Sequence, residues 1–256
     1  MAKASAQKQQ QEKVIEVQGL SSQTVEVWVL GRSPLLLHAV SAKVNVTLLL
    51  GGHKKTGAEK ADIKHHPYQE FQDAAYIHAS PETRLCFPGG GMRRAISTAA
   101  LETAGTTKKQ IERLMWIEEH NIPIWGIPEI HMAIVRNADI NRTPDVRTRC
   151  ILVEWCARFK TSFIAPTLHA GTVAMLLGNA GLVIGIGDNR QEKGAGSNGQ
   201  FEIVEANDER VAKLVNTCGL AAQDAALADP APYDEETRRM LEIYKAEVSR
   251  REGGAV

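Results

Sequence analysis

The sequence predicts an α+β fold: an elaborated ferredoxin-like (RRM-like) βαββαβ core with insertions and a C-terminal helical extension. Apolar residues alternate with a period of two in some segments, which indicates strands, and recur at helical spacing in others. In the central part these segments follow one another as β, α, α, β, β, α, β, with one helix more than the βαββαβ pattern requires. A chain of 256 residues, 43% of them hydrophobic, is long enough to bury the core of such a domain.

The first strands are predicted near the N-terminus. Residues 1–13 are mostly Lys, Gln, Ala and Ser, so we expect a disordered tail there. Valines alternate with other residues along 24–30 and predict the first strand, and the apolar run 34–38 predicts a second extended segment. The ferredoxin-like domain is therefore expected to occupy 14–206.

An insertion is predicted between the first strand and the first core helix, around residues 40–86. Its part at 51–66 is polar, basic and glycine-containing, which indicates a mobile segment. Proline is tolerated in the first turn of a helix, so a short helix is expected at 67–77.

The middle of the chain is predicted to contain two helices and a hairpin. Apolar residues at helical spacing indicate helices over 92–103 and 108–117. A strand at 130–135 and one long strand at 146–163 are expected to form a hairpin around 128–160.

The last core elements and the extension follow. Thr167 is the expected N-cap of a helix that ends at Gly181, and a short strand is predicted at 201–204. The extension at 207–256 is expected to contain a helix, a linker rich in Ala, Asp and Pro, and a charged helix, at 208–218, 221–232 and 234–251.

Composition limits the possible functions. The formal net charge is zero, so any nucleic-acid binding must come from a local basic patch. The four cysteines are irregularly spaced, which indicates small buried residues and not a disulfide framework. The sequence shows no signal peptide and no apolar run of about 18 residues, so we expect a cytoplasmic protein without membrane contact.

The most informative stretch is the glycine-rich loop at 185–199, which contains five glycines and two cations. Such a loop exposes backbone N–H groups and lets an anion approach the main chain. The expected phosphate contacts are the amides of Gly185, Gly187, Gly194 and Gly196 and the side chains of Arg190 and Lys193. The alternative is a flexible surface loop. A P-loop and a dinucleotide fingerprint are excluded because the required spacing and element order are missing.

A second glycine-rich motif, Phe87-Pro-Gly-Gly-Gly-Met-Arg-Arg-Ala-Ile96, stands at a helix entrance. Exposed N–H groups and the positive end of the helix dipole favour an anion at this point. Arg93 and Arg94 lie in the first turn, where cations disfavour the helix, and this indicates an anionic ligand. The alternative is that both arginines face solvent.

The hairpin region 136–160 carries six cations against three anions. By the period of two, Arg147 and Arg149 share one face of their strand, and Trp155 and Phe159 share a face further on. Basic residues interleaved with aromatic ones favour single-stranded nucleic acid. The expected phosphate ligands of this region are Arg136, Arg142, Arg147 and Arg149, and the alternative is a half-buried strand with a charged outer face.

Catalytic and metal-binding signals are weak. His38 follows an apolar run and is a candidate general base, although a packed core histidine is the alternative. The histidines at 53, 65, 66 and 78 lack metal-ligand spacing, so we expect neither a metal nor another cofactor.

Together the two glycine motifs resemble the RAMP superfamily, the ferredoxin-like RNA-binding proteins of CRISPR systems. The run from Ile184 to Glu202 resembles the glycine-rich loop of that superfamily, and the run from Phe87 to Ile96 resembles its helix entrance. Arg93 stands where lysine is usual, and Ser97 stands at the final basic position of the motif. The resemblance covers about 24–206.

Within the superfamily, the chain looks most like the backbone subunits of CRISPR effector complexes. This resemblance implies a repeating subunit that coats a guide RNA, forms a homo-oligomer along the strand and contacts other ribonucleoprotein subunits. The predicted hairpin would be the thumb that kinks the RNA. In some relatives an Asp cleaves target RNA, and Asp139 is its expected counterpart here, unless it only serves the turn.

Alternatives from other classes stay open. One is a metal-independent endoribonuclease that uses His38 or Asp139, and another is a protein-only scaffold in which the glycine loop is passive. A related protein of a phage or plasmid is also compatible with these residues. The acidic C-terminal segment is expected to contact a neighbouring copy.

Overall fold

The computed structural model describes residues 19–51, 63–102, 105–136, 142–193 and 196–253. It is an α+β structure with two antiparallel sheets. Its strands are β1 Ser21–Gly31, β2 Leu35–Leu37, β3 Cys86–Pro88, β4 Met115–Ile117, β5 Asn121–Trp125, β6 Pro128–Arg136, β7 Pro144–Leu152, β8 Cys156–Ala165 and β9 Phe201–Val204. Its helices are α1 Ala42–Leu50, α2 Pro67–Ala74, α3 Gly89–Ala99, α4 Lys108–Leu114, α5 Ala170–Asn179, α6 Glu209–Thr217, α7 Leu220–Ala228 and α8 Glu235–Gly253.

The larger sheet has the strand order β3–β5–β8–β1–β9, and β4 pairs with another part of β8. Its centre is the long β1–β8 ladder, in register from Ser21 opposite Ala165 to Leu30 opposite Cys156. Helices α3 and α5 contact each other and share one core with these strands. The buried residues at this junction include Val27, Val29, Met92, Ile96, Phe159, Phe163, Val173 and Leu177.

The smaller sheet has the order β2–β7–β6 and contains the predicted hairpin. The strand expected over 146–163 is in fact two strands, since β7 lies in the small sheet and β8 in the large one. The chain changes sheets at 153–155, where Trp155 is fully buried and its Nε1 donates to the Ser33 carbonyl at 2.9 Å. Alternation continues on both sides of this break, so periodicity alone does not reveal it.

The second predicted helix is also shorter than expected. It begins at Thr107, whose hydroxyl and Gln110 form a capping box, and it ends at Leu114. Residues Met115–Ile117 instead pair with β8, with Met115 opposite Phe163. Backbone pairing with an existing sheet edge therefore overrides the helical pattern of this segment.

The C-terminal extension packs against the domain. The predicted linker over 221–232 is wrong for most of its length, because α7 occupies Leu220–Ala228. The fully buried Gln223 holds this helix: its oxygen accepts from the amides of Arg84 and Leu85, and its nitrogen donates to the carbonyls of Ile124 and Gly126. The extension is therefore joined to β3 and β5 by a satisfied buried amide.

The segment after α7 covers the edge of the small sheet. Pro232 bridges Ile130 of β6 in parallel, and the Ile130 amide donates to the Ala231 carbonyl at 2.9 Å. Helix α8 follows, and the hydroxyl of its buried Thr237 accepts the Met132 amide. Part of the acidic charge of the extension is used within the chain, for example by Asp224, which pairs with Arg84 at 2.6 Å. Contact with a neighbouring copy stays a prediction.

Most other local predictions are confirmed, including β1, β2, β6, β9, α2, α3, α6 and α8. The expected N-cap is wrong: α5 begins after His169, and Thr167 lies in the turn after Pro166. Helix α5 ends at Asn179 and continues as a π-turn over Ala180–Ile184. Helix α1 has no counterpart in the predictions.

All four cysteines are free and buried, as predicted. No helix among the described residues has the length and apolar character needed to cross a membrane. The tail at 1–13 and most of the segment at 51–66 lie outside the described residues, as do His53, Asp139 and Gly194.

Candidate functional site

The two glycine motifs, far apart in the sequence, line one cavity of about 350 Å³. Helix α3 contributes Gly91 and Arg94, the glycine-rich loop contributes Gly185, Gly187 and Arg190, and the end of β2 contributes His38. The remaining lining residues are Tyr76, Phe87, Pro88, Ala95, Ile186, Asp188 and Glu192. The fold therefore brings residues of both motifs, which the sequence singled out separately, to one cavity.

The helix entrance separates its two arginines. Arg94 lines the cavity, and within the described residues its side chain forms no ion pair. Arg93 instead donates from Nη2 to the Glu112 carbonyl of α4, away from the cavity. The prediction that both arginines face one anion therefore fails for Arg93 in this arrangement, because successive helix residues point about 100° apart.

The glycine-rich loop uses several of its amides internally. The Gly185 amide donates to the Ala180 carbonyl at 2.8 Å, so this amide is used inside the loop and its contact with phosphate stays a prediction. The amides of Ile186 and Asp188 donate to the carbonyls of Gly199 and Leu36. Among the described residues, the N–H groups of Gly187 and Gly196 form no such backbone bond, and their predicted role stays open.

Glycine is required at 187 for a structural reason. Its φ is +83°, and a Cβ there would lie 2.5 Å from the Leu36 carbonyl oxygen. The loop packs this closely because the adjacent Asp188 amide bonds the same carbonyl. Close packing against β2, more than amide exposure, explains this glycine.

The cations of the loop are partly neutralised by the loop itself. Arg190 donates to the Gly187 carbonyl at 2.8 Å and pairs with Glu192 at 2.7 Å. Lys193 does not line the cavity, is exposed, and lies 3.5 Å from the same carboxylate. The Arg190 guanidinium holds the pKa of Glu192 below its usual value although burial opposes this shift. These two cations therefore add little net charge to the cavity.

The hairpin contributes a basic face next to the cavity. As predicted, Arg147 and Arg149 share one face of β7, opposite Ala133 and His131 of β6. The Arg149 side chain is 9% exposed, and its Nε lies 2.9 Å from a carboxylate oxygen of Asp188, which lines the cavity. Arg149 thus connects the hairpin to the glycine-rich loop.

Two buried nitrogens on this face lack hydrogen-bond partners. The Arg149 Nε and the His131 Nδ1 have none among the described residues, so the Arg149–Asp188 contact is an ion pair without hydrogen-bonding geometry. The ring of His131 meets Tyr233 edge-on, with centroids 5.4 Å apart. Burial lowers the pKa of His131, and the Arg149 charge lowers it further, while Asp234 and Glu236 raise it. Buried polar nitrogens without a hydrogen-bond partner are unusual in folded proteins.

His38 lies exposed at the cavity, which contradicts the alternative of a packed core histidine. Partial desolvation lowers its pKa, the charges of Arg149 and Arg147 lower it further, and Asp188 opposes them. The ring is therefore mostly neutral at pH 7, as a general base requires. Desolvation also raises the pKa of Tyr76, whose hydroxyl donates to the His38 carbonyl at 3.4 Å.

The prediction of an aromatic stacking surface is wrong. Trp155 and Phe159 are buried core residues, with 0% and 1% exposure. Arg158 forms an ion pair with Glu82 at 2.8 Å and lies over the rings of Trp28 and Trp125. It does not line the cavity. Period-two alternation gives two faces, and here the face with the aromatics points inward.

Other predicted residues lie outside the cavity. Arg136 and Arg142 are exposed on the hairpin, beyond Arg147 as seen from the cavity. Tyr76, Asp188 and His131 were not among the predicted site residues. Asp188 lies inside the glycine-rich motif, where an acid among glycines could have indicated it, whereas Tyr76 lies in the predicted insertion, where no pattern distinguishes it.

No group of His, Cys, Asp or Glu side chains able to hold a metal ion occurs in the described part of the chain. No protein-family model and no curated protein sequence matches this chain.

Proposed function

We propose that this protein binds RNA or another single-stranded nucleic acid as a RAMP-type protein, as a repeating backbone subunit of a CRISPR-like ribonucleoprotein. One observation carries the proposal: the glycine-rich loop and the helix entrance, on which the resemblance rests, line the same cavity with Arg94 and His38. Two passive glycine segments would not be expected to meet around Arg94, a cation without an ion-pair partner among the described residues.

The strand order supports the ferredoxin-like part of the proposal. Strands β9, β1, β8 and β5 lie side by side, α3 lies between β1 and β5 in the chain, and α5 lies between β8 and β9. This is the order of elements in a split βαβ unit. The hairpin β6–β7 then stands as an insertion between two core strands, which agrees with the role of a thumb.

Charge supports an anionic ligand. Arg94 lines the cavity and has no ion-pair partner among the described residues, whereas Arg149 and Arg190 are each paired with a carboxylate. A phosphate at Arg94 would form a charge-assisted contact, which is stronger than a hydrogen bond between neutral groups. Binding through such contacts depends on salt and varies little with sequence.

Nucleic acid retained on purification tests the proposal. The protein is purified from cells at low salt, and its 260/280 nm absorbance ratio and mass are measured before and after RNase treatment. We expect a large species that contains nucleic acid and shrinks on RNase treatment. A nuclease-insensitive monomer with a protein-like ratio, and without salt-sensitive RNA binding, would instead support the protein-only scaffold.

The geometry at His38 favours one second candidate, a metal-independent endoribonuclease. An exposed histidine with a lowered pKa lines the same cavity as Arg94 and the glycine-rich loop, and this combination would provide a base close to the proposed phosphate-binding groups. This candidate predicts that the protein cleaves a labelled RNA in the presence of EDTA and that the His38→Ala variant does not. Uncleaved RNA that remains bound to the wild-type protein would leave only the binding function.

A further inference from the structure

The residues that line the cavity differ in chemistry. Tyr76, Phe87 and Ala95 contribute aromatic or apolar surface, while His38 and Arg94 contribute polar or charged groups. The rings of Tyr76 and Phe87 meet edge to face, with centroids 6.1 Å apart. Phe87 is 7% exposed and Tyr76 is half-buried, so Tyr76 is the aromatic surface open to a ligand.

Both rings are fixed in place. A Cβ at Gly91 would lie 2.8 Å from Cε1 of Phe87, so this glycine lets the Phe87 ring lie against the first turn of α3. The Tyr76 ring packs edge to face on Phe87, and its hydroxyl makes only a long contact of 3.4 Å to the His38 carbonyl. Packing between the two rings therefore preforms the aromatic surface, which reduces the entropy cost of binding.

The acids of the cavity do not oppose an anion strongly. Asp188 pairs with Arg149 at 2.9 Å and Glu192 pairs with Arg190 at 2.7 Å. Arg94 remains as a cation without an ion-pair partner among the described residues. With Arg149 counted, three arginines stand against two carboxylates, so the cavity offers an aromatic surface together with a net positive charge.

We propose that the cavity holds one complete nucleotide of the bound strand, with the base stacked on Tyr76 and a phosphate at Arg94. The proposal rests on the proposed function and adds the unit that the site recognises. A base is flat and aromatic and its phosphate is anionic, so one nucleotide matches both the aromatic and the charged residues that line the cavity. A volume of about 350 Å³ lies at the small end of ligand pockets and fits a single such unit.

Fluorescence anisotropy with a fluorescein-labelled A12 oligoribonucleotide tests this proposal. Tyr76→Leu keeps an apolar side chain but removes the ring, and we expect RNA binding to weaken roughly 5- to 150-fold, the range of one stacked base. Tyr76→Phe keeps the ring and is expected to bind within about twofold of wild type, because the lost hydroxyl contact is long. Tyr68→Leu is the matched control, since Tyr68 lies outside the cavity and packs near Lys245.

A second measurement does not depend on the folding of any variant. The wild-type protein is titrated with the same oligonucleotide made fully abasic, and a loss similar to that of Tyr76→Leu is expected. Full binding of the abasic strand, or wild-type binding by a folded Tyr76→Leu variant, would overturn the nucleotide site and leave RNA binding through phosphates intact. Absence of any binding of A12 to the wild-type protein would overturn the proposed function itself. Binding of free AMP as tight as that of A12 would overturn the assignment of the cavity to a strand.

Discussion

Replacing Arg94 with alanine gives a sharp measure of whether the cavity binds phosphate. Arg94 lines the cavity without an ion-pair partner among the described residues, so the substitution removes one full positive charge from the site. Arg190 and Arg149 are less informative because Glu192 and Asp188 already pair with them.

The expected magnitude follows from counterion release. One phosphate contact on a single strand contributes about 0.7 to the slope of log affinity against log salt. We take wild type and variant to bind RNA equally at 1 M salt, where the electrostatic contribution vanishes. The loss of the contact then weakens RNA binding by the variant about eightfold at 50 mM salt, or about 1.2 kcal/mol, and about threefold at 200 mM. The variant should therefore show a shallower salt slope, with the two titration curves meeting near 1 M salt.

The assay is RNA binding by fluorescence anisotropy at several salt concentrations, with Arg93→Ala as the control. The control changes the net charge of the protein equally, but its side chain is directed to the Glu112 carbonyl. We expect the Arg93→Ala slope to stay close to that of wild type. Equal slopes for wild type and Arg94→Ala, or equal losses in both variants, would refute a phosphate contact at Arg94.

Three further predictions concern the folded state. Gly187→Ala should destabilise the protein by more than about 1–2 kcal/mol in urea unfolding, because alanine is strained at φ +83° and its Cβ would clash with the Leu36 carbonyl. Its control is Gly171→Ala, which places a Cβ in open space on a helix and should be neutral or stabilising. Gln223→Ala should lower the free energy of unfolding by at least about 3 kcal/mol, since it leaves two amides and two carbonyls without their buried partner. An unfolding midpoint at the same urea concentration as that of wild type would contradict this prediction. Burial raises the pKa of the Cys86 thiol to about 11, so this thiol should react with a disulfide reagent only on unfolding, and rapid labelling of the native protein would disprove its placement.

Local elements were largely predictable because their signals are local. The valine alternation of β1 depends only on neighbouring residues, and so does the helical spacing of the apolar residues in α3. The failures occur where a distant partner decides the outcome. Met115 joins β8 instead of extending α4, and Gln223 fixes as a helix a stretch that had the composition of a linker.

The candidate site was predictable only in part. Glycines and arginines mark both motifs in the sequence, and Arg147 and Arg149 do share a face as the strand period requires. No local pattern indicates that Trp155 is buried, that Tyr76 lines a cavity, or that Arg149 reaches Asp188. Those relations depend on which element covers which face.

By itself the sequence determined the period of each strand and helix, the positions of the glycine turns and the absence of excess charge. These properties arise from backbone sterics and from side chains close together in the chain. The tertiary structure alone decided that α3, β2 and the glycine-rich loop enclose one cavity, and that Arg94 faces it while Arg93 does not. The physical reason is that a periodic pattern specifies two faces of an element, whereas packing against distant segments selects which face is buried and which remains open to a ligand.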